Sequence, residues 1–136
     1  MWIIFLKNAV INEILNLEKL HDDVLAIDSK IRYVVIQNNV GEKIYGGFRD
    51  GINPILSDEE LKMMHYYASQ RWQTRKNIEH KLGNTKYAMA EYDKLKRITF
   101  PIDEKHLLMI TTEIDSNHAA IIDNILKLLK DGKTHD

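Results

Sequence analysis

The chain contains no cysteine, which excludes disulfides, thiolate zinc sites, iron-sulfur clusters and thiol catalysis, and fits a reducing compartment such as the cytoplasm. With two prolines and six glycines in 136 residues, it is neither collagen-like nor of low complexity. No run approaches the roughly 20 apolar residues that a membrane-spanning helix requires. The apolar start Met1-Trp-Ile-Ile-Phe-Leu6 lacks the basic stretch and small-residue cleavage site of a secretion signal, and Lys7 and Asn8 interrupt it. A cytoplasmic protein without a membrane segment is expected. Chemical motifs are scarce as well: there is no Gly-x-Ser-x-Gly elbow, no Walker loop and no dinucleotide fingerprint. The histidines, at 21, 65, 80, 106, 118 and 135, form no pair at i,i+3 or i,i+4 on one helix. Neither a metal site, a cofactor nor a catalytic set is therefore expected.

What is present is the make-up of one globular domain over residues 1–136, 44% hydrophobic and 29% charged. A chain of this length buries roughly two-thirds of its unfolded surface, enough for a core without metals or crosslinks. The net charge of -1 is unevenly spread: residues 71–97 hold 8 basic and 3 acidic groups, between two acidic flanks. Such a segment suits an anionic ligand, a nucleic acid or an acidic partner. Solvated side chains on a helix and a hairpin are the plainer use of most of these charges.

Apolar residues at Leu6, Val10, Ile14, Leu17, Leu20, Val24, Ile27 and Ile31 recur at three- and four-residue steps and predict a long first helix, from about residue 2 to residue 29. Some 26 residues would reach about 40 Å, the full diameter of a domain this size. Its first turns would overhang the core, and Trp2, Ile3, Phe5 and Leu6 are candidates for a contact with a second copy of the chain. Tyr33-Val-Val-Ile-Gln37, the turn Asn38-Asn-Val-Gly41 and Lys43-Ile-Tyr45 read as a β-hairpin. Gly46-Gly-Phe-Arg-Asp-Gly51 reads as an irregular exit from the sheet. Ser57-Asp-Glu-Glu60 has the spacing of a capping box, opening a second helix whose stripe of Leu61, Met64, Ala68, Trp72, Ile78 and Leu82 ends at Gly83. Strands over 86–92, 95–102 and 106–112 follow, then a last helix from Ser116 or Asn117 that stops before Gly132, leaving a polar tail over 131–136.

Tyr33–Ile36 and Leu107–Ile110 are apolar at consecutive positions, so both faces of these strands must be covered. That requirement predicts an α+β fold of three layers, α/β/α, with a five-stranded antiparallel sheet whose two buried strands are adjacent at its centre. The element order is α-β-β-α-β-β-β-α.

This order, the hairpin over 31–47 and the helix opened by Ser57 resemble the roadblock/dynein light chain group, and the profilin-like fold more broadly. Ile31-Arg-Tyr-Val, the Gly46–Leu56 segment, Lys81-Leu-Gly83, Lys86-Tyr87 and Arg97-Ile-Thr-Phe-Pro101 resemble an uncharacterised archaeal family found in ammonia oxidisers. The first resemblance implies strand order 2-1-5-4-3 with the terminal helices sharing one face, and a homodimer that binds small GTPases or serves as a scaffold; the second implies an archaeal source and a cytoplasmic setting.

Arg71 and Arg75 fall on the same side of the second helix as Met64, Ala68, Trp72 and Leu82. An arginine on an apolar side can snorkel to water or reach a pocket between helix and sheet where an anion completes the pair. The glycine-rich segment carries Arg49, and successive amides at Gly46 and Gly47 could turn toward an anion as a nest does. Arg49, Arg75, Tyr87, Gly46 and Gly47 are accordingly the candidate ligand-binding residues, for a small phosphate- or carboxylate-bearing molecule. The expected role is a non-enzymatic regulatory, scaffold or anion-sensing module acting as a homodimer. Nucleic acid or an acidic partner on the basic 71–97 segment is the alternative.

Overall fold

We describe residues 16–134 of the protein from a computed structural model. Helix α1 occupies residues 16–25; the expected helix before it, with Trp2, Ile3, Phe5 and Leu6, lies outside the described residues. Strands β1 (Ile31–Asn38) and β2 (Lys43–Phe48) form the hairpin. Helices α2 (Asp58–Lys76) and α3 (Glu79–Leu82) come next. Strands β3 (Ala88–Glu91), β4 (Leu95–Pro101) and β5 (His106–Glu113) precede helix α4 (His118–Thr134). The sheet is antiparallel in the order β2-β1-β5-β4-β3, so the two strands with consecutive apolar residues are neighbours at its centre.

Strand alternation sorts the core into two layers. Val34, Ile36, Ile98, Phe100, Leu108 and Ile110 face one way and pack with Val24 of α1 and Ile121, Ile122 and Ile125 of α4. Tyr33, Val35, Gln37, Leu107, Met109 and Thr111 face the other way, toward α2. Lys96 shares the first face, where its buried Nζ donates to the Ser116 carbonyl at 2.9 Å and meets His118 Nδ1 at 2.8 Å.

The Ser57 capping box forms as the spacing predicts: the Glu60 amide donates to Ser57 Oγ and the Ser57 amide to Glu60 Oε1. Three expectations need correction. The second helix does not run unbroken to Gly83; it ends at Lys76, a short α3 follows, and Ile78 and Leu82 are exposed. Apolar residues continued the helical period there without any surface to cover them. The last helix passes through Gly132 to Thr134, because an isolated glycine costs a helix only about 1 kcal/mol and does not have to end it. Gly46 and Gly47 do not leave the sheet. They are β2 residues, paired with Val35 and Val34.

Candidate functional site

One row of side chains crosses all five strands on the α2 face. Phe48 pairs with Tyr33, Tyr33 with Thr111, Thr111 with Arg97 and Arg97 with Ala90. Above this row, between α2 and the sheet, lies a half-open cavity of about 620 Å³. Its lining is mostly apolar, with Phe48, Leu56, Leu61 and Met64 among its walls and Arg71 and Arg97 at one side. The same two arginines also line a second cavity of about 180 Å³, completed by Arg75, Ala68, Ala88, Ala90 and Thr99. The room for it comes from the two β3 alanines, which sit opposite Thr99 and Arg97 and project no more than a methyl group.

Arg71, Arg75 and Arg97 therefore converge on one place. Arg97 is half-buried, and burial pulls its guanidinium below its usual pKa; Tyr92 pushes the other way, and the charges of Arg71 and Arg75 add to the lowering. Its guanidinium lies 6.0 Å from the Tyr92 ring centre, and that of Arg75 lies 5.8 Å from Trp72. Aromatic faces hold cations without neutralising them. Among the described residues, none of the three arginines is ion-paired with a carboxylate. Arg71 is exposed and Arg75 and Arg97 are half-buried; three clustered guanidiniums without a carboxylate partner repel each other, and an anion placed among them relieves that repulsion.

Beside the cavity, Tyr33 takes part in a closed polar ring with α2. Gln37 Nε2 donates to the His65 carbonyl at 3.0 Å, which orients its amide so that Oε1 accepts from His65 Nδ1. His65 Nε2 then accepts from the Tyr33 hydroxyl at 2.7 Å. The imidazole is thereby held neutral. Burial, with Lys43 and Arg97 adding to it, lowers the His65 pKa to about 4, and burial raises that of Tyr33 to about 12. Among the described residues no three metal-ligating side chains gather.

The remaining candidate residues lie elsewhere. Phe48 faces α2, so the next residue, Arg49, turns to the opposite face. There its Nε donates to the Ile31 carbonyl at 2.7 Å and its Nη2 to those of Leu25 and Asp28 at 2.6 and 2.9 Å. It clasps the end of α1 and does not meet Arg75. Tyr87 is turned away by the same alternation, because Ala88 and Ala90 face α2; its ring lies 6.3 Å from that of Phe100, and it lines neither arginine cavity. Gly46 and Gly47 pair with β1 and form no nest beside Arg75. Arg97 was the residue missed. Its signal was parity: it alternates with Ile98 and Phe100, so it shares the α2 face with Arg71 and Arg75. The basic 71–97 segment does not present one continuous surface, since Lys96 points into the opposite layer.

Comparison with curated proteins returns no match. Solved structures share the fold at low identity. The Roadblock/LC7 domain from Streptomyces avermitilis superposes with a TM-score of 0.64 at 12% identity, over 85% of this chain and 93% of that one. MglB in a tetrameric arrangement gives 0.65 at 10%, over 82% of each chain. Profilin II of Acanthamoeba castellanii gives 0.52 at 13%, over 82% of this chain and 91% of that one. The fold is thus roadblock- and profilin-like, and among the described residues no helix is long and apolar enough to cross a membrane. Residues 11–136 match the model of the Family of unknown function (DUF6659), and the chain belongs to that family.

Proposed function

We propose that this protein is a non-enzymatic regulatory or scaffold module of the roadblock kind, archaeal and cytoplasmic, that acts as a homodimer and senses a small anion. The observation that carries the reading is the convergence of Arg71, Arg75 and Arg97 without a carboxylate partner among the described residues. A small GTPase is the protein partner that fits the roadblock likeness. The splitting of the basic segment between two faces favours a compact anion over nucleic acid, which needs an extended positive surface.

Inorganic phosphate is expected to raise the thermal midpoint by roughly 4 °C at ten times its dissociation constant, measured against sodium chloride of equal ionic strength. Arg97→Met should weaken that binding by about 1.5–3 kcal/mol. It should also leave stability without phosphate unchanged or slightly higher, because a repelling charge is removed. A phosphate response that survives the substitution contradicts the site. For the assembly, light scattering should give about twice the 15.9 kDa chain mass; a monomer at high concentration contradicts the homodimer.

A further inference from the structure

The arginine cluster stands at the side of a much larger apolar cavity, and Arg71 and Arg97 belong to both. Resting on the anion-site reading above, we propose that the ligand is a small amphiphile, with one carboxylate or phosphate group held by the arginines and an apolar body lying between α2 and the sheet. An inorganic anion alone would use the cluster and leave the larger space without a role. At about 620 Å³, that space falls in the range of small-molecule sites, which pair an apolar lining with a few charged groups at one end.

The residues around it suit such a body. Leu61 and Met64 approach from α2, and Phe48 and Tyr33 form the floor, so most of the wall is aliphatic, aromatic and thioether. Besides Arg71 and Arg97, its charged residues are Arg32, ion-paired with Glu113, Glu60 of the capping box, and the exposed Asp93 and Lys94. Met63 and Tyr67 also line it while about half exposed, 54% and 51%, which makes them the rim through which a chain could enter. Of the polar groups along it, the Tyr33 hydroxyl is committed to His65 and Arg32 Nη1 to Glu113, while the buried Arg32 Nε has no partner among the described residues. The apolar body therefore meets few hydrogen-bonding groups there, and the charge is assigned to the side of Arg71 and Arg97, which have no carboxylate partner among the described residues, whereas Arg32 is already paired with Glu113. Charge complementarity thus fixes the orientation, head toward Arg71 and Arg97, body toward Leu61 and Phe48.

The test uses the full chain with four probes whose binding is measured by calorimetry: acetate, inorganic phosphate, decanoate and decyl phosphate, with decanol as the uncharged control. Burying even a few methylenes should make decanoate at least about tenfold tighter than acetate, and decyl phosphate at least about tenfold tighter than phosphate. Whichever amphiphile is the tighter identifies the head group. Decanol should bind more weakly than either, and Arg97→Met, or Arg71→Met if the first variant does not fold, should bring decanoate down to the level of decanol. In methyl-labelled protein, decanoate should move the Met63 and Met64 resonances. If phosphate binds but the decyl compounds gain nothing, the amphiphile proposal fails and the anion site stands. If no anion binds, both fail. Decanol binding as tightly as decanoate, or Met63 and Met64 unmoved by it, also overturns the proposal.

Discussion

Gly46→Ala is expected to cost about 3 kcal/mol or more, lowering the thermal midpoint by roughly 10 °C. Gly46 has φ +114°, a region that side-chain-bearing residues rarely enter. A Cβ built there would collide with the carbonyl oxygen of Val34. That carbonyl cannot move aside cheaply, because β1 is paired on both edges, with β2 and with β5. Gly47, one residue later in the same strand, has nothing within 4 Å of such a Cβ and no positive φ. Gly47→Ala should therefore be near neutral, and the pair is an internal control read by urea denaturation. Equal effects at the two positions would show that the close approach at Gly46 does not govern stability.

The second large effect is a loss of stability in mild acid, traced to His65. Its folded pKa of about 4 lies below the ordinary value of 6.5, because the buried ring gains nothing from a second proton. The unfolded chain therefore binds that proton first as the pH falls. The stabilisation is complete above about pH 6.5, declines between 6.5 and 4, and is gone below 4; it amounts to on the order of 3 kcal/mol. Protonating Nε2 also removes the acceptor of the Tyr33 hydroxyl and places an N–H against it. Glu60, Glu79, Asp103 and Asp115 have lowered pKa values and add losses of the same sign, but at the lower pH where carboxylates titrate. The interval from 6.5 to about 4.5 thus isolates the histidine. His65→Gln should be less stable at neutral pH and should lose the slope in that interval. A wild-type stability that is flat there would contradict the role given to the buried ring.

These two sites differ in how visible they are before folding. The consecutive apolar residues of β1 and β5 disclose a sheet covered on both faces with those two strands at its centre, while the full strand order is legible only through the likeness to roadblock and profilin-like folds. Ser57-x-x-Glu60 disclosed the start of α2, because a capping box depends on neighbours only three residues apart. Local spacing carries such features. A glycine pair beside an arginine looks like a loop, whereas the use of Gly46 depends on how closely β1 passes, a tertiary fact. Arg49 was misplaced for a related reason: the strand continued through Phe48, which set the parity that sent Arg49 to the α1 end. The helical period ran on through Ile78 and Leu82 although the chain had already turned.

The candidate site was half legible. Arg75 on an apolar helix side reads either as snorkelling to water or as reaching a pocket between helix and sheet, and in the structure Arg71 and Arg75 both line the smaller cavity. Arg97 could have been added from strand parity, yet β4 carries a basic residue on each face, Lys96 and Arg97. Only the packed structure shows that Lys96 is occupied by Ser116 and His118. The apolar cavity had no sequence signature, since Leu61, Met64 and Phe48 read as core residues whether or not they meet in the middle.

The proposed function requires Arg71, Arg75 and Arg97 to form one anion site from which Arg49 is separate. It is tested most directly by following the arginine Nε–H resonances of the full chain while inorganic phosphate is added at constant ionic strength. The three resonances should move together along one saturating curve, with Arg49, bonded to backbone carbonyls on the opposite face, unmoved. Independent, unsaturating shifts of the three, or a saturating shift of Arg49 with the cluster still, would contradict the account.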